Sequence, residues 1–173
     1  MPQLRDPNFH RTVVLLVHHD GEGTFGVVLN RPTEITAIGL CSTLDLSWGG
    51  APEKGIDWGG PVQPQTGWLV MGESSTASVH DDVKRLVDGV YFAGSLEALR
   101  NVAAEPPEQL HMMLGYAGWG PGQLEAELVE GAWILAPVSS EAIFDVDPSM
   151  MWDHVLRSLG IDPSTLVPSR GIH

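Results

Sequence analysis

Cations are scarce in this chain. Lys and Arg number nine against 22 Asp and Glu, for a formal net charge of −13 over 173 residues. Nucleic acid is held mainly through Lys and Arg contacts to phosphate. Here only Lys84 and Arg85 are adjacent, with Asp81 and Asp82 just ahead of them. A field of this sign repels a phosphate backbone, so direct nucleic-acid binding is not expected. Cysteine is nearly absent as well. Cys41 alone cannot close an intramolecular disulfide, which fits a reducing compartment. With no histidine close by in the sequence, it reads as a structural thiol rather than a nucleophile.

Long apolar runs are missing too. None approaches the roughly 20 residues that a helix needs to span a bilayer, and Met1-Pro2-Gln3-Leu4 does not read as a signal peptide. The expectation is a cytoplasmic protein with no membrane association. Catalytic motifs are equally lacking: there is no Gly-x-Ser-x-Gly and no helical His-x-x-x-His. His18 and His19 are neighbours on an expected strand and so point to opposite faces, which prevents them from chelating one ion together. No catalytic residue, metal site or cofactor is expected.

What is present is turn chemistry around apolar segments. Twenty glycines and thirteen prolines favour a strand-rich fold over a helical bundle, and a 43% hydrophobic fraction supplies a core for one domain over 1–173. Asp6-Pro7-Asn8-Phe9 reads as a turn or helix start. Residues 12–18 and 24–30 read as a hairpin, with Pro32 ending its second strand. A short helix is expected within 35–44, a sharp turn at Gly59-Gly60-Pro61-Val62, a strand over 67–71 and a turn of helix within 79–86. Residues 88–93 enter another strand. Ser95 caps a helix through Ala104 that buries Leu96, Leu99 and Val102. A strand over 110–116 leads into the glycine-rich stretch Gly115 to Gly122, read as a sharp turn into a helix over 121–130, with Gly131 as its terminator. Residues 132–138 read as the next strand. Asp147-Pro148 starts a last helix that ends at Gly160. Strands linked too briefly for parallel crossovers, with helices interspersed, indicate an α+β domain on a mixed, mostly antiparallel sheet.

The glycine turn carries the candidate chemistry. A helix N-terminus attracts anions, but Gln123-Leu124-Glu125 follows where a phosphate loop has Gly-Lys-Ser/Thr, so the stretch reads as a packing turn. Gln123 and Glu125, beside Tyr116 and Trp119, are the polar candidates for a ligand cleft there, with Asn30 as a further lining residue.

Several segments together resemble the AlgH/YqgE family of bacterial proteins. They are Met1-Pro2 with Leu4, Asp6-Pro7 and Phe9, then Gly26 with Leu29-Asn30-Arg31-Pro32, Gly59-Gly60-Pro61-Val62, Gly115 through Glu125, and Leu159-Gly160-Ile161-Asp162. The resemblance implies a pseudo-barrel built from a bifurcated mixed β-sheet with flanking helices. It also brings a transcriptional-regulator label, but no catalytic residues, cofactor or DNA-binding motif. Two functions stay open. One is a non-enzymatic regulatory module acting by contact with another protein. The other is a small-ligand binder or enzyme using a cleft at the 115–125 turn, lined by Asn30, Trp119, Gln123 and Glu125. The oligomeric state is left open.

Overall fold

The computed structural model describes residues 9–73 and 82–166. The Asp6-Pro7 turn and the first part of the helix expected over 79–86 lie outside the described residues. Strand β1 (Val14–Asp20) pairs antiparallel with β2 (Gly23–Val28), Val14 opposite Val28 and Leu15 opposite Val27, with a bulge between Leu16 and His18. The expected hairpin is therefore present, shifted by a residue or two. Its ladder starts late because the Asn30 side chain takes the Val13 N–H.

β2 ends ahead of Pro32 as expected, and Pro32 then opens β3 (Pro32–Thr36), where a missing N–H at the first position is tolerated. β3 pairs with β4 (Gly55–Trp58). Between them lies α1 (Ala37–Thr43), capped by the Thr36 hydroxyl, which accepts from the Gly39 N–H. β5 (Val62–Met71) is twice as long as the expected strand. Residues 83–87 form β6 (Val83–Val87), not a helical turn, and pair in a hairpin with β7 (Val90–Ala93). α2 (Leu96–Ala103) is capped by Ser95 and buries Leu99 and Val102, but Leu96 is 48% exposed, which corrects its expected place in the core.

β8 (Leu110–Trp119) corrects the central expectation: the strand does not turn at Gly115 but continues through Gly118 to Trp119. The turn comes after it, into α3 (Gln123–Val129), which ends before Gly131 at φ 75°. Residues 133–139 form neither strand nor helix. Pro137 has no N–H to give a ladder, which works against the expected strand over 132–138. α4 (Ser140–Phe144), capped by Ser139, was not foreseen. α5 (Pro148–Ser158) starts at the Asp147 cap and gives way to Gly160 at φ 76° as expected, and a 3-10 turn follows at Pro163–Leu166.

The eight strands among the described residues run in the order β1-β2-β8-β5-β7-β6, with β3 and β4 branching off β8. β5 flanks β8 on one side, from Leu110 to Tyr116. On the other side the neighbour changes at Gly115. Met113 and Leu114 pair in parallel with β4, whereas Ala117 to Trp119 pair antiparallel with β2. This fork makes the sheet bifurcate, and the nearly closed, largely antiparallel result is the pseudo-barrel flanked by helices that the resemblance implied.

Adjacent strand residues face opposite sides, so β8 serves two cores. Met112 packs with Leu69, Met71 and Leu99 beneath α1 and α2, while Met113 packs with Leu15, Val70, Phe92 and Met151 beneath α4 and α5. A third cluster closes the end of β8, where Ala117, Trp119 and Leu124 meet Phe9 and Trp133.

The α5 cap predicts an acid dependence. The Ser149 hydroxyl (2.6 Å) and N–H (2.9 Å) donate to Asp147 and hold its carboxyl below the ordinary carboxylate range. A folded-state pKa below the unfolded value gives stability that is present above about pH 4 and lost as pH falls through the folded value. Thermal unfolding of the wild type and Asp147→Asn between pH 7 and pH 2 should show the wild type's advantage shrinking as pH falls below about 4. A constant gap would show that the carboxylate does not act through this linkage.

Candidate functional site

The four residues singled out from the sequence occupy different environments. Asn30 is buried, and its amide is bonded at both ends: Oδ1 accepts from the Val13 N–H (2.9 Å) and Nδ2 donates to the Arg11 carbonyl (2.9 Å). It ties the start of β1 to the end of β2. Trp119 is buried at the end of β8, stacked near Phe9 and edge-on to Trp133. Gln123 and Glu125 stand exposed on the first turn of α3. Gln123 Oε1 accepts from the Gly120 N–H (3.0 Å), and Glu125 meets His19 Nε2 at 3.0 Å.

Glu127, which sequence reasoning passed over, connects two of these residues. Its Oε2 accepts from the indole N–H groups of both Trp119 (2.7 Å) and Trp133 (2.9 Å), and its Oε1 accepts from Gln123 (3.2 Å). The available signal was spacing, since Gln123 and Glu127 lie four apart on one helix face. A carboxylate holding three donors is an anchor, with little capacity left for a substrate. Across a shallow hollow, His18 pairs with Asp20 at 2.7 Å. That hydrogen bond, ahead of one from the Glu22 N–H, holds the Asp20 carboxyl below its usual range.

A second polar cluster, also unforeseen, lies under the sheet. His111 sits between Asp57 and α4: Nδ1 is 3.1 Å from Asp57 Oδ2, and Nε2 is 2.6 Å from the Ile143 carbonyl oxygen. Its ring stacks on Phe144. Lys54 donates to the Leu110 carbonyl, and burial pushes its ammonium below the usual lysine range against the opposing pull of Asp57. Both imidazole nitrogens are taken, so His111 presents no free base to a substrate. Among the described residues, no group of three or more His, Cys, Asp and Glu is placed to hold a metal, and no helix is long and apolar enough to cross a membrane.

One concave feature is apolar. A cavity of about 230 Å³ follows β1 from Thr12 to Leu16. Its lining includes Trp119, Leu124 and Trp133 of the third cluster, Ile143, Met151, Trp152 and Val155 of α4 and α5, and the irregular segment 133–139. Leu135 and Val138 on that segment are 61% and 41% exposed. Of the four sequence candidates, Trp119 alone lines this groove.

Comparison with known proteins covers nearly the whole chain. A family profile described as AlgH-like matches residues 1–164. A UPF0301 protein of Myxococcus xanthus is 38% identical over 174 residues, covering 100% of this chain and 94% of its own. One from Anaeromyxobacter dehalogenans is 36% identical, covering 98% and 89%. The solution structure of the AlgH protein from Pseudomonas aeruginosa superposes with a TM-score of 0.77 at 32% identity, covering 100% of this chain and 91% of that one. A Corynebacterium diphtheriae crystal structure, at TM-score 0.72 and 23% identity, covers 96% and 85% and shares the fold.

Proposed function

This chain belongs to the AlgH-like family of bacterial proteins, and from that premise we propose that it works as a non-enzymatic regulatory module that binds another protein in the groove beside β1. The observation that carries this reading is the groove itself, an apolar concavity with Leu135 and Val138 exposed along its rim. Exposed apolar surface of this kind, set beside concave apolar walls, is characteristic of protein recognition. The polar groups that chemistry would require are instead held as braces: Asn30, His111 and Glu127 each have their partners within the fold. A net charge of −13 argues against duplex DNA as the partner. We place the module in the cytoplasm, with no cofactor.

The test is capture by crosslinking in the source cell, comparing the wild type with Leu135→Asp at the groove and Val129→Asp away from it. Val129 is 89% exposed and controls for a surface charge. The same partner should be captured by wild type and Val129→Asp and lost with Leu135→Asp. Equal capture by all three would remove the groove as the docking surface.

A second reading has one observation in its favour. His18, Asp20, Thr24, Tyr116 and Trp119 line an open hollow of about 490 Å³ near Gln123 and Glu125. A polar ligand there would shift the NMR signals of His19 and Glu125 on titration while leaving those of Leu135 in place.

A further inference from the structure

On the premise that the groove is the docking surface, the occupant can be specified. We propose that the groove takes an extended segment of another protein, apolar over about five residues and flanked by cations, which adds to the sheet as a strand along β1.

The backbone supports this first. β1 is the end of the strand order, so among the described residues no strand covers its outer edge. The register identifies which groups are free. The Leu29 N–H donates to the Val13 carbonyl, while the Val28 N–H turns away to Gly59. Partners in an antiparallel ladder alternate between bonded and non-bonded pairs. The Val13 carbonyl and the N–H and C=O of Leu15 therefore face the β2 side, the Val13 N–H goes to the Asn30 side chain, and Val14 and Leu16, opposite Val28 and Gly26, direct theirs outward. These outward groups belong to the stretch of β1 that lines the groove. An exposed strand edge is a template for pairing with another chain.

The walls then set the side chains. Leu15 belongs to the core beneath α4 and α5, whereas Val14 and Leu16 pack with the Trp119 cluster, so both faces of β1 are apolar at this edge. A strand added there places alternate residues against Met151, Trp152 and Val155 on one face and against Trp119 and Trp133 on the other. It must therefore be apolar throughout, as strands buried on both faces are. Segment 133–139 is apolar and close by, but Pro137 interrupts its own capacity to pair.

Charge sets the flanks. The chain carries a net charge of −13, and the helices that line the groove add Glu141 on α4 and Asp153 on α5, while Asp20 and Glu125 are already paired with His18 and His19. Against them stand Arg157 on α5 and Arg11, whose guanidinium lies 5.1 Å over the Trp152 ring. Cationic flanks on the incoming segment complement this surroundings.

The experiment is selection of random dodecapeptides displayed on phage against the folded full chain, followed by synthesis of the enriched peptide. Expected are apolar, β-branched runs flanked by Lys or Arg. Methylating alternate backbone nitrogens of that peptide should weaken binding by about tenfold or more, as loss of two backbone hydrogen bonds would. The amides of Val14 and Leu16 should exchange at least about tenfold more slowly in the complex, since edge groups become ladder groups. Enrichment of helix-period peptides, indifference to N-methylation, or unchanged exchange at Val14 and Leu16 would each overturn the strand. So would binding of decanoate with no peptide enriched, or self-association that fills the groove with a second copy. A peptide that is lost with Leu135→Asp yet indifferent to N-methylation sinks the strand and leaves the docking groove standing. Unchanged partner capture by Leu135→Asp sinks the docking reading itself.

Discussion

Gly115→Ala is expected to unfold the protein or to cost more than about 4 kcal/mol, while Gly118→Ala, three residues along the same strand, should cost less than about 1 kcal/mol. Gly115 sits at φ 82°, and a Cβ there would lie 2.2 Å from the Gly60 carbonyl oxygen. The obstacle is backbone from both sides. Gly60 is itself at φ 152°, and its own Cβ would lie 2.1 Å from the Tyr116 carbonyl carbon. Two glycines thus let the turn after β4 press against the point where β8 changes neighbours. The dihedral alone costs about 1–3 kcal/mol for alanine, and the clash can be relieved only by opening the fork. At Gly118 the nearest atom to an added Cβ is Tyr116 Cε2 at 3.4 Å, an ordinary contact. Denaturant unfolding of the two variants checks this. A Gly115→Ala midpoint close to wild type would mean that the fork tolerates separation there.

Trp119→Ala should cost about 3–5 kcal/mol. The indole is 7% exposed and is the centre of the third cluster, with ring centroids 6.5 Å from Phe9 and 5.5 Å from Trp133. Truncation leaves a cavity at the end of β8 and removes one of the two indole donors on Glu127. Trp119→Phe separates the two effects. It keeps most of the apolar burial and loses the N–H, for a cost of about 1–2 kcal/mol because Trp133 still holds the carboxylate. Urea unfolding of both variants distinguishes them. Equal midpoints for Ala and Phe would assign the cost to the hydrogen bond rather than to packing.

Local chemistry in the sequence was legible because it acts locally. Ser95 and Asp147-Pro148 cap the helices expected of them, Gly131 follows the end of α3 and Gly160 that of α5, and the β1–β2 hairpin lies where two apolar runs flank a polar turn. Long-range effects were not legible. The glycine stretch was read as a turn into a helix, and Gly122 at φ 73° makes that turn locally, but the left-handed conformation of Gly115 answers to Gly60, far away in the chain. β3, β4 and β6 are only four or five residues long, and they are strands because neighbours pair with them. Residues 132–138 have a strand's composition, but the groove leaves them beside β1 without a ladder. The site followed the same rule. Trp119, Gln123 and Glu125 cluster at the start of α3, where sequence adjacency put them, while Asn30 makes its bonds with Arg11 and Val13. Asp57 and His111 find each other across 54 positions, and the one hint was a histidine inside the apolar run 110–114, which a buried strand tolerates only with partners.

The position of β8 in the chain also sets an order of events during synthesis. Among the described residues β8 is the last strand to be made, yet it lies between β2 and β5, and Thr24 waits for Trp119 as its ladder partner. Until residue 119 has been added, the β1–β2 hairpin and the β5–β7 layer have no strand to join them, and each presents an open inner edge to solvent. At about 5–20 residues per second, the nascent chain carries those edges for several seconds. The ribosome-bound intermediate, rather than the finished protein, is therefore the form most in need of a chaperone.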